Sequence, residues 1–565
     1  MMEMLERSTV LTMIRQRLQN ASTGGHVILL SGEAGIGKTM LLQAAAVNCS
    51  AVWWGRCDAL ETLHPLAPLL DIAREVNPKF KPFIAGPRPA LFHAVLDELR
   101  SAATPVLMVI EDAHWADDAT LDLLKFLGRR ILSARALLVI SFRDDEVGMS
   151  HPLRRVMGDL PSSTLTRIAL ERLSAQAVEH LAALAGRSAS GVYAATRGNP
   201  FFVIEMLREE GDTVPRSVQD LVLARLSRLP PSAQSLMHSL AVIPGQAEAW
   251  LVNAVHPPSL SDIEVALASG LLVSNGEFLA FRHDLARVAV ESAISYPQQQ
   301  YLHGRVLAAL VAADHDIAPA RLVHHAQRAH DNASLRKFAP IAAEQASARG
   351  AQREAAAFWQ SSLGGGIASD EVQRQSWLEA WATECQLTGN LVDAIAARLQ
   401  LGVAYAKSGN VVRQAHNLSH SALLHVLALN NAQAGTDCLQ AIALLEPLAP
   451  CIEKAYAWWV NAQLLMLNRE WTASIEWSSN ALTLAEKLGE RETQVASLGT
   501  LGTATMFIDY DQGVIHLQKA LEMAKTDGLH WVAANTYSNL GSGAGELFHL
   551  HDAQHWLTAT MDYTE

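Results

Sequence analysis

The sequence predicts an α/β domain with a parallel sheet in the first third of the chain and an all-helical repeat region in the last half. Two observations support this fold class. Apolar runs at 27–30, 105–110 and 136–142 are each followed by a glycine-rich or charged segment, as strands buried in a parallel sheet are. From about residue 350 onwards, a small residue recurs every 39 or 40 positions, which is typical of stacked helical hairpins.

Length and charge limit the classes of protein to consider. The chain has 565 residues, which is too long for a single core, so two to four domains are expected. Half of the residues are apolar, as in folded globular proteins. The formal net charge of −13 argues against a protein that coats nucleic acid, because such a protein must neutralise phosphates.

The N-terminus and the cysteines indicate where the protein resides. Residues 1–20 mix charged and apolar side chains in the pattern of an amphipathic helix rather than a signal peptide. No stretch of the sequence is long and apolar enough to cross a bilayer. The five cysteines are scattered and are expected to be free thiols in a reducing compartment. We therefore expect a cytoplasmic protein with no membrane partner.

A glycine-rich loop follows the first predicted strand and precedes a predicted helix at 40–46. The loop is made of Gly32, Glu33, Ala34, Gly35, Ile36, Gly37, Lys38 and Thr39. Glycines let backbone N–H groups surround phosphates at a helix N-terminus. The pattern predicts a nucleoside triphosphate site, with ATP as the expected ligand. Lys38 is expected to reach the β- and γ-phosphates, and the Thr39 hydroxyl to ligate Mg²⁺.

Two acids end the second apolar run. Acids at the carboxyl end of a buried strand, beside a phosphate loop, are suited to hold Mg²⁺ and to activate water. We assign Glu111 to the metal and Asp112 to water activation, although the reverse assignment stays open. The alternative is that Asp112, or a later aspartate, caps a helix.

Arg143 ends the third run and has two interpretations. It is placed to sense the γ-phosphate, or it pairs with the acids at 144–146 beside it. His114 and Trp115 follow the acids of the second strand closely and are interpreted as packing residues.

The middle of the chain is predicted to be helical, with two turns. Gly198, Asn199 and Pro200 interrupt the periodicity, because all three oppose helix. Asn275-Gly276 lies between apolar segments, which predicts a hairpin, consistent with a winged-helix-like domain. This stretch lacks the dense basic face that DNA binding requires.

The repeat region is defined by one recurring position. Its members are Ala355, Ala394, Ala434, Ala473, Gly513 and Ala553. The interval is longer than that of the standard tetratricopeptide repeat, so the region is predicted to be tetratricopeptide-like; a non-repeating helical bundle is the alternative. Five tryptophans are expected to pack between repeats rather than to form a ligand cage: Trp458, Trp459, Trp471, Trp477 and Trp531.

Several motifs occur in the order of a known family. They are the phosphate loop, residues 55–58 with 64–69, residues 109–117, residues 142–146, residues 198–202 and residues 281–284. Over most of residues 1–300, the chain resembles the AAA-related P-loop ATPases called STAND proteins. The closest resemblance is to large ATP-binding LuxR-type transcriptional regulators, of the maltose-regulon activator-like type, and to cyclase- or kinase-associated ATPases.

The resemblance implies further site residues and a division into domains. Pro200 would pack near the adenine ring, and His283 would contact the diphosphate of the nucleotide. A plain turn at Pro200, and a structural role for His283, are the alternatives. The implied domains are a P-loop ATPase domain at 1–165, a helical lid at 166–229, a winged-helix-like domain at 230–300 that acts as a hinge, and tetratricopeptide-like repeats at 301–565.

The function that the resemblance implies is a nucleotide switch. ATP or ADP would control assembly, a nucleotide-dependent homo-oligomer included, and the repeats would sense an inducer molecule or a regulatory protein. The protein would be at most a slow ATPase. Regulators of this type carry a C-terminal helix-turn-helix, and the sequence lacks one, so we expect either a fragment or output through partners. An ATP-consuming motor and a partner-binding scaffold are the alternative functions.

Overall fold

A computed structural model of the protein describes residues 5–57, 65–75, 88–149, 151–208, 218–274, 276–314, 317–364 and 370–564. The chain forms two compact units, Met1–Ala368 and Ser369–Glu565. Asp58, His64 and Asn275, which belong to predicted motifs, lie outside the described residues.

The first unit begins with a parallel sheet of five strands in the order β2-β3-β4-β1-β5. The strands are β1 (His26–Ser31), β2 (Val52–Arg56), β3 (Val106–Glu111), β4 (Ala136–Phe142) and β5 (Leu165–Ala169). The predicted runs are β1, β3 and β4, and every residue of β3 and β4 is buried. The two outer strands were not predicted. β2 contains tryptophans and a glycine in place of an aliphatic run, and β5 has only one buried residue.

Helices cover the sheet and complete its core. They are α1 (Ser8–Asn20), α2 (Lys38–Ala46), α3 (Ala67–Glu75), α4 (Arg88–Ser101), α5 (Asp118–Arg130) and α6 (Pro152–Asp159), with short 3-10 turns at Ala113–Trp115, Ile131–Ser133 and Ser162–Thr164. Ile14 of α1 and Leu41 of α2 pack on Ile28 of β1, and all three are fully buried. The phosphate loop between β1 and α2 is therefore held by a rigid core at both ends.

Eight helices and a small sheet follow. The helices are α7 (Ala175–Leu184), α8 (Val192–Thr196), α9 (Pro200–Arg208), α10 (Val218–Ser227), α11 (Pro231–Ala241), α12 (Ala249–Val255), α13 (Leu260–Ala268) and α14 (Asp284–Ala293). The antiparallel sheet has the order β6-β8-β7, with β6 (Gln246–Glu248), β7 (Leu272–Ser274) and β8 (Phe278–Phe281). The hairpin β7–β8 is the predicted one, and α11, α13 and α14 pack around it in a winged-helix-like arrangement.

Helical hairpins make up the rest of the described chain. The first unit ends with α15 (Tyr296–Ala312), α16 (Pro319–Ala329), α17 (Asn332–Ala348) and α18 (Gln352–Gly364). The second unit consists of α19 (Glu371–Leu387), α20 (Leu391–Ser408), α21 (Val411–Leu427), α22 (Asn431–Leu445), α23 (Ile452–Leu467), α24 (Trp471–Leu488), α25 (Arg491–Met506), α26 (Tyr510–Thr526), α27 (His530–Glu546) and α28 (Leu550–Thr564). Within each unit, consecutive helices of this region pack against each other, so the predicted repeat architecture is confirmed.

The repeated small residue is the fourth residue of every second helix. One member of the predicted series was wrong, because the fourth residue of α24 is Ser474 and not Ala473. Ser474 is fully buried, and its hydroxyl donates a hydrogen bond to the Ala462 carbonyl at 2.9 Å. At Gly513 the helices approach so closely that a Cβ would lie 2.3 Å from the Met506 backbone. A small residue at this position therefore allows the two helices of a hairpin to pack closely.

Two further expectations concern the cysteines and membranes. All five cysteines are free thiols. None of the helices in the described ranges is long and apolar enough to cross a membrane.

Candidate nucleotide site

A cleft of about 470 Å³ lies at the carboxyl end of β1, inside the first unit. Residues 34–39 of the phosphate loop form one wall. Asp112 and Arg143 contribute from the ends of β3 and β4, while Pro200 and His283 contribute from the helical segments. The structure therefore brings together residues that are far apart in the sequence and that the motifs had singled out one by one.

The phosphate loop has the backbone geometry that glycine permits. Gly35 and Gly37 have φ values of +76° and +98°, and Gly37 is the N-cap of α2. The Lys38 ammonium donates to the carbonyls of Gly32 at 2.6 Å and Glu33 at 3.0 Å. Burial lowers its pKa from the ordinary lysine value. The buried Lys38 ammonium, at a helix N-terminus and beside a loop whose glycines have positive φ angles, is suited to bind the phosphates of a nucleotide.

The turn at residues 198–200 is attached directly to the phosphate loop. The Asn199 side-chain amide donates to the Ala34 carbonyl at 2.9 Å, and the Phe201 backbone N–H donates to the Gly35 carbonyl at 3.3 Å. A Cβ on Gly35 would lie 2.8 Å from the Phe201 Cβ. Gly35 is thus required for its φ angle and for this close approach. The turn at 198–200 and the phosphate loop are thus in direct contact.

Glu111 is held by donors on both carboxylate oxygens. The Thr39 hydroxyl donates to Oε1 at 2.6 Å, and Trp54 Nε1 donates to Oε2 at 2.9 Å. The Arg56 guanidinium lies 3.4 Å from the same Oε2. The side chain is only 4% exposed. A hydroxyl and a carboxylate in contact beside a phosphate loop are the oxygen ligands that Mg²⁺ prefers, so this pair fits the metal.

Asp112 follows Glu111 but occupies a different environment. Its backbone is left-handed, with φ +53°, and its N–H donates to the Ser141 hydroxyl at 3.3 Å. Burial, together with the charge of Glu111, raises the pKa of Asp112 to about 6. Its side chain caps no helix, whereas that of Asp117 caps α5. The capping role in the alternative interpretation thus belongs to the later aspartate.

Arg143 both lines the cleft and forms ion pairs. Its guanidinium lies 2.6 Å from Glu146 and 3.5 Å from Asp284, and it lies over the ring of Trp115 at 4.6 Å. Glu146 also lies 3.5 Å from His114. Both interpretations of Arg143 are therefore compatible with its position. The pair with Asp284 links the end of β4 to the start of α14.

His283 is the N-cap residue of α14 and lines the cleft. Its ring packs edge-on against Phe201, with 4.3 Å between centroids. Phe201 is in turn bonded to the phosphate loop through its backbone. The phosphate loop, the start of α9 and the start of α14 are thus joined by a continuous series of contacts.

Sequence analysis missed several residues of this site. Asn199 and Phe201 flank the predicted turn proline, so the Gly-Asn-Pro-Phe pattern contained a signal for both. Asp284 ends the motif at 281–284, but the motif gave no sign of its partner, and Glu205 carried no signal. Asp284 pairs with an arginine distant in the sequence, and Glu205, which lines the cleft, forms a buried ion pair with Arg225.

A second cavity, of about 740 Å³, lies among the helices of the second unit. Tyr456, Trp459 and Trp531 line it, together with Arg398 and His420. Two of the five tryptophans predicted to pack between repeats therefore line a cavity. The other three pack as expected: Trp458 contacts Trp477, and Trp471 stacks on Phe507.

Comparisons with known proteins agree with the first cleft. Residues 3–140 match the AAA ATPase domain family. An uncharacterized protein of Rhizobium meliloti (strain 1021) is 27% identical over 297 residues, a match that covers 46% of this chain and 28% of that protein. The chain thus spans less than a third of the length of this curated relative.

The solved structures that match the chain have low sequence identity to it. One is the signal transduction ATPase with numerous domains (STAND) protein with a tetratricopeptide repeat sensor from Pyrococcus horikoshii. Its TM-score is 0.48 at 16% identity, and the match covers 100% of this chain and 83% of that one. Another is aspartyl phosphate phosphatase F from Bacillus subtilis, with a TM-score of 0.37 at 9% identity, covering 70% and 96%. The N-terminal part of the chain thus matches an AAA ATPase domain family, and the phosphate loop that lines the cleft lies within the matched residues.

Proposed function

We propose that the protein is an ATP-binding signal-transduction switch of the STAND type. One observation carries this proposal: the phosphate loop, Arg143, Pro200 and His283 line a single cleft. A nucleotide bound there touches the sheet, the lid and the winged-helix-like segment at once. A ligand shifts a conformational equilibrium only by its differential affinity for the two states. Contacts to three segments supply a physical basis for such a difference between ATP and ADP.

The phosphate loop and the acids have distinct roles in this proposal. Lys38 binds the β- and γ-phosphates, and Thr39 and Glu111 hold Mg²⁺. Asp112 orients and activates water, and a pKa of about 6 lets it accept a proton near neutral pH. Hydrolysis is slow and acts as a timer.

Arg143 and His283 act as reporters of the nucleotide. Arg143 is shared between Glu146, Asp284 and the cleft, so a γ-phosphate competes with the two carboxylates for its guanidinium. His283 contacts the diphosphate and, through Phe201, the lid. The pattern of ion pairs then differs between the ATP and ADP states.

The helical repeats sense the signal in this scheme. They bind an inducer molecule or a regulatory protein, and the second-unit cavity supports the first of these. The order of the motifs favours a LuxR-type transcriptional regulator, with assembly into a homo-oligomer in the ATP state and cytoplasmic location. The same proposal includes the division of the chain into domains that end at residues 165, 229 and 300.

Nucleotide affinity of Lys38→Ala tests the phosphate-loop assignment. We expect affinity for ATP to fall by about 100-fold or more, since a charge-assisted contact to two phosphates is lost. Lys125→Ala is the matched control, because Lys125 pairs with Asp159 on the surface. Calorimetric titration of both variants gives the comparison, and unchanged affinity in Lys38→Ala contradicts the assignment. Steady-state turnover above roughly 1 s⁻¹ without an effector would favour the motor instead.

A further inference from the structure

Arg398 is a buried cation that forms no ion pair with any residue of the described second unit. It lies on α20, lines the second-unit cavity and is 6% exposed. Among residues 370–564, all of which the structure describes, no carboxylate oxygen lies within 4.0 Å of its guanidinium, and its Nε has no hydrogen-bond partner. Removing a charge from water without a partner is costly. A guanidinium cannot escape the cost by losing its proton.

The polar side chains around Arg398 are neutral. His416 Nε2 and His420 Nε2 are 3.2 Å apart, and the Tyr456 hydroxyl lies 3.4 Å from His420 Nδ1. Burial lowers the pKa of both histidines and raises that of Tyr456. These groups offer dipoles but no negative charge. None of them therefore pairs with Arg398, and the acid whose charge acts on it most is Glu379 on the neighbouring helix α19.

The nearby acids already have other partners. Glu379 accepts a hydrogen bond from the Tyr405 hydroxyl at 2.6 Å and lies 3.6 Å from Arg413. Glu490, at the edge of the cavity, caps α25, and Glu492 accepts from Trp531 Nε1 at 2.9 Å. Each carboxylate is thus committed to a structural contact.

Aromatic rings form the apolar part of the same cavity. Tyr456 and Trp459 have centroids 5.2 Å apart, and Trp531 lies 6.1 Å from Trp459. The Trp459 indole N–H is satisfied by the Thr500 hydroxyl at 3.0 Å. A cavity of about 740 Å³ that combines aromatic and aliphatic side chains with several polar ones has the size and character of a small-molecule site.

We propose that this cavity binds an organic anion, whose acidic group pairs with the Arg398 guanidinium and whose apolar ring system packs on Tyr456, Trp459 and Trp531. The proposal rests on the sensing role given above to the repeats and names the chemical class of the signal. A carboxylate and a phosphate monoester share the required chemistry, because either accepts two parallel N–H bonds from arginine. The ligand supplies a direct ion-pair partner, which the described residues of the second unit do not.

Two fluorescent probes with the same ring system test the proposal. 8-Anilinonaphthalene-1-sulfonate is an anion, and N-phenyl-1-naphthylamine is its neutral counterpart without the sulfonate. The full chain is titrated with each probe, as wild type and as Arg398→Met. We expect the anion affinity to fall roughly 10- to 100-fold in the variant, while the neutral probe changes less than about threefold. Equal losses for both probes, or unchanged anion affinity, would overturn the proposal.

Thermal unfolding separates a ligand anchor from a structural residue. Arg398→Met removes an unpaired buried charge and keeps the Arg398 carbonyl that accepts from Asn417 at 2.8 Å. Its melting temperature is expected to equal or exceed that of the wild type, whereas a marked decrease would identify Arg398 as structural. Arg398→Lys keeps the charge but loses the planar fork, so it is expected to have intermediate anion affinity.

Competitors identify the anion, and a second variant separates this proposal from the nucleotide switch. Benzoate and phenyl phosphate are titrated against the bound anionic probe, and the more effective competitor distinguishes a carboxylate from a phosphate site. Displacement by neither compound rejects the anion site. Lys38→Ala is expected to bind the anionic probe like the wild type. Loss of nucleotide affinity with retained probe binding thus leaves the two proposals independently testable.

Discussion

The nucleotide cleft and the second-unit cavity differ in whether their buried charged side chains have partners within their own unit. Beside the cleft, Glu111 accepts hydrogen bonds on both carboxylate oxygens, and Arg143, which lines the cleft, is shared between two acids. In the cavity, Arg398 has neither an ion pair nor a partner for its Nε in the described second unit. A charged side chain with partners has a fixed position in its site. A buried charge without an ion pair favours the binding of a ligand of opposite charge.

Three buried histidines of the first unit show a third arrangement of buried ionisable groups. His303, His324 and His325 form a buried cluster where α15 packs on α16. Burial and neighbouring positive charges lower the pKa of His303 to about 3 and that of His324 to about 4. These rings avoid the cost of buried charge by staying neutral. Arginine has no such option, so Arg398 depends on a partner.

The largest expected effect is a loss of stability in the repeats that leaves nucleotide affinity unchanged. Gly513→Ala places a Cβ 2.3 Å from the backbone of Met506, so it should destabilise the repeats by roughly 3 kcal/mol or more. Gly435→Ala is the control, because a Cβ there meets nothing within 4 Å, and it should stabilise its helix by about 1 kcal/mol. Urea unfolding measures both. Nucleotide affinity should be unchanged in each variant, and its loss in Gly513→Ala would show that the cleft depends on the repeats.

Acid should destabilise the first unit through the histidine cluster. The neutral form is favoured in the folded state, so the full stability is present above the unfolded pKa of 6.5 and is lost as pH falls towards 3. Between pH 7 and pH 5, each histidine should contribute on the order of 2 kcal/mol to this loss. His303→Gln should flatten the pH dependence of unfolding by about that amount. The same slope in variant and wild type would mean that His303 binds its proton equally well in the folded and unfolded states.

Some of this architecture was predictable because its signals are local. Strands β1, β3 and β4 are continuous aliphatic runs, and the phosphate loop is a short motif with a fixed context. The two outer strands lack such a run, so they were missed. Ser474 was missed because a serine whose hydroxyl is bonded to the Ala462 carbonyl packs like alanine, and the pattern favoured the neighbouring Ala473.

The site was predictable only as separate residues. Lys38, Glu111, Asp112, Arg143, Pro200 and His283 each followed from a motif. The pairing of Arg143 with Asp284, and the packing of Phe201 between the loop and His283, join segments distant in the sequence. The sequence did not indicate that Arg398 lacks an ion pair within the described second unit, because ion-pair partners are determined by the tertiary structure.

The central claim is that ATP and ADP set different contacts between the phosphate loop, the lid and the winged-helix-like segment. Hydrogen–deuterium exchange of the full chain, saturated in turn with ADP and with a non-hydrolysable ATP analogue, tests it most directly. We expect amide protection at residues 198–208 and 278–293 to differ between the two complexes, while that of the buried strand β4 stays the same. Identical protection of both segments in the two complexes would contradict the switch.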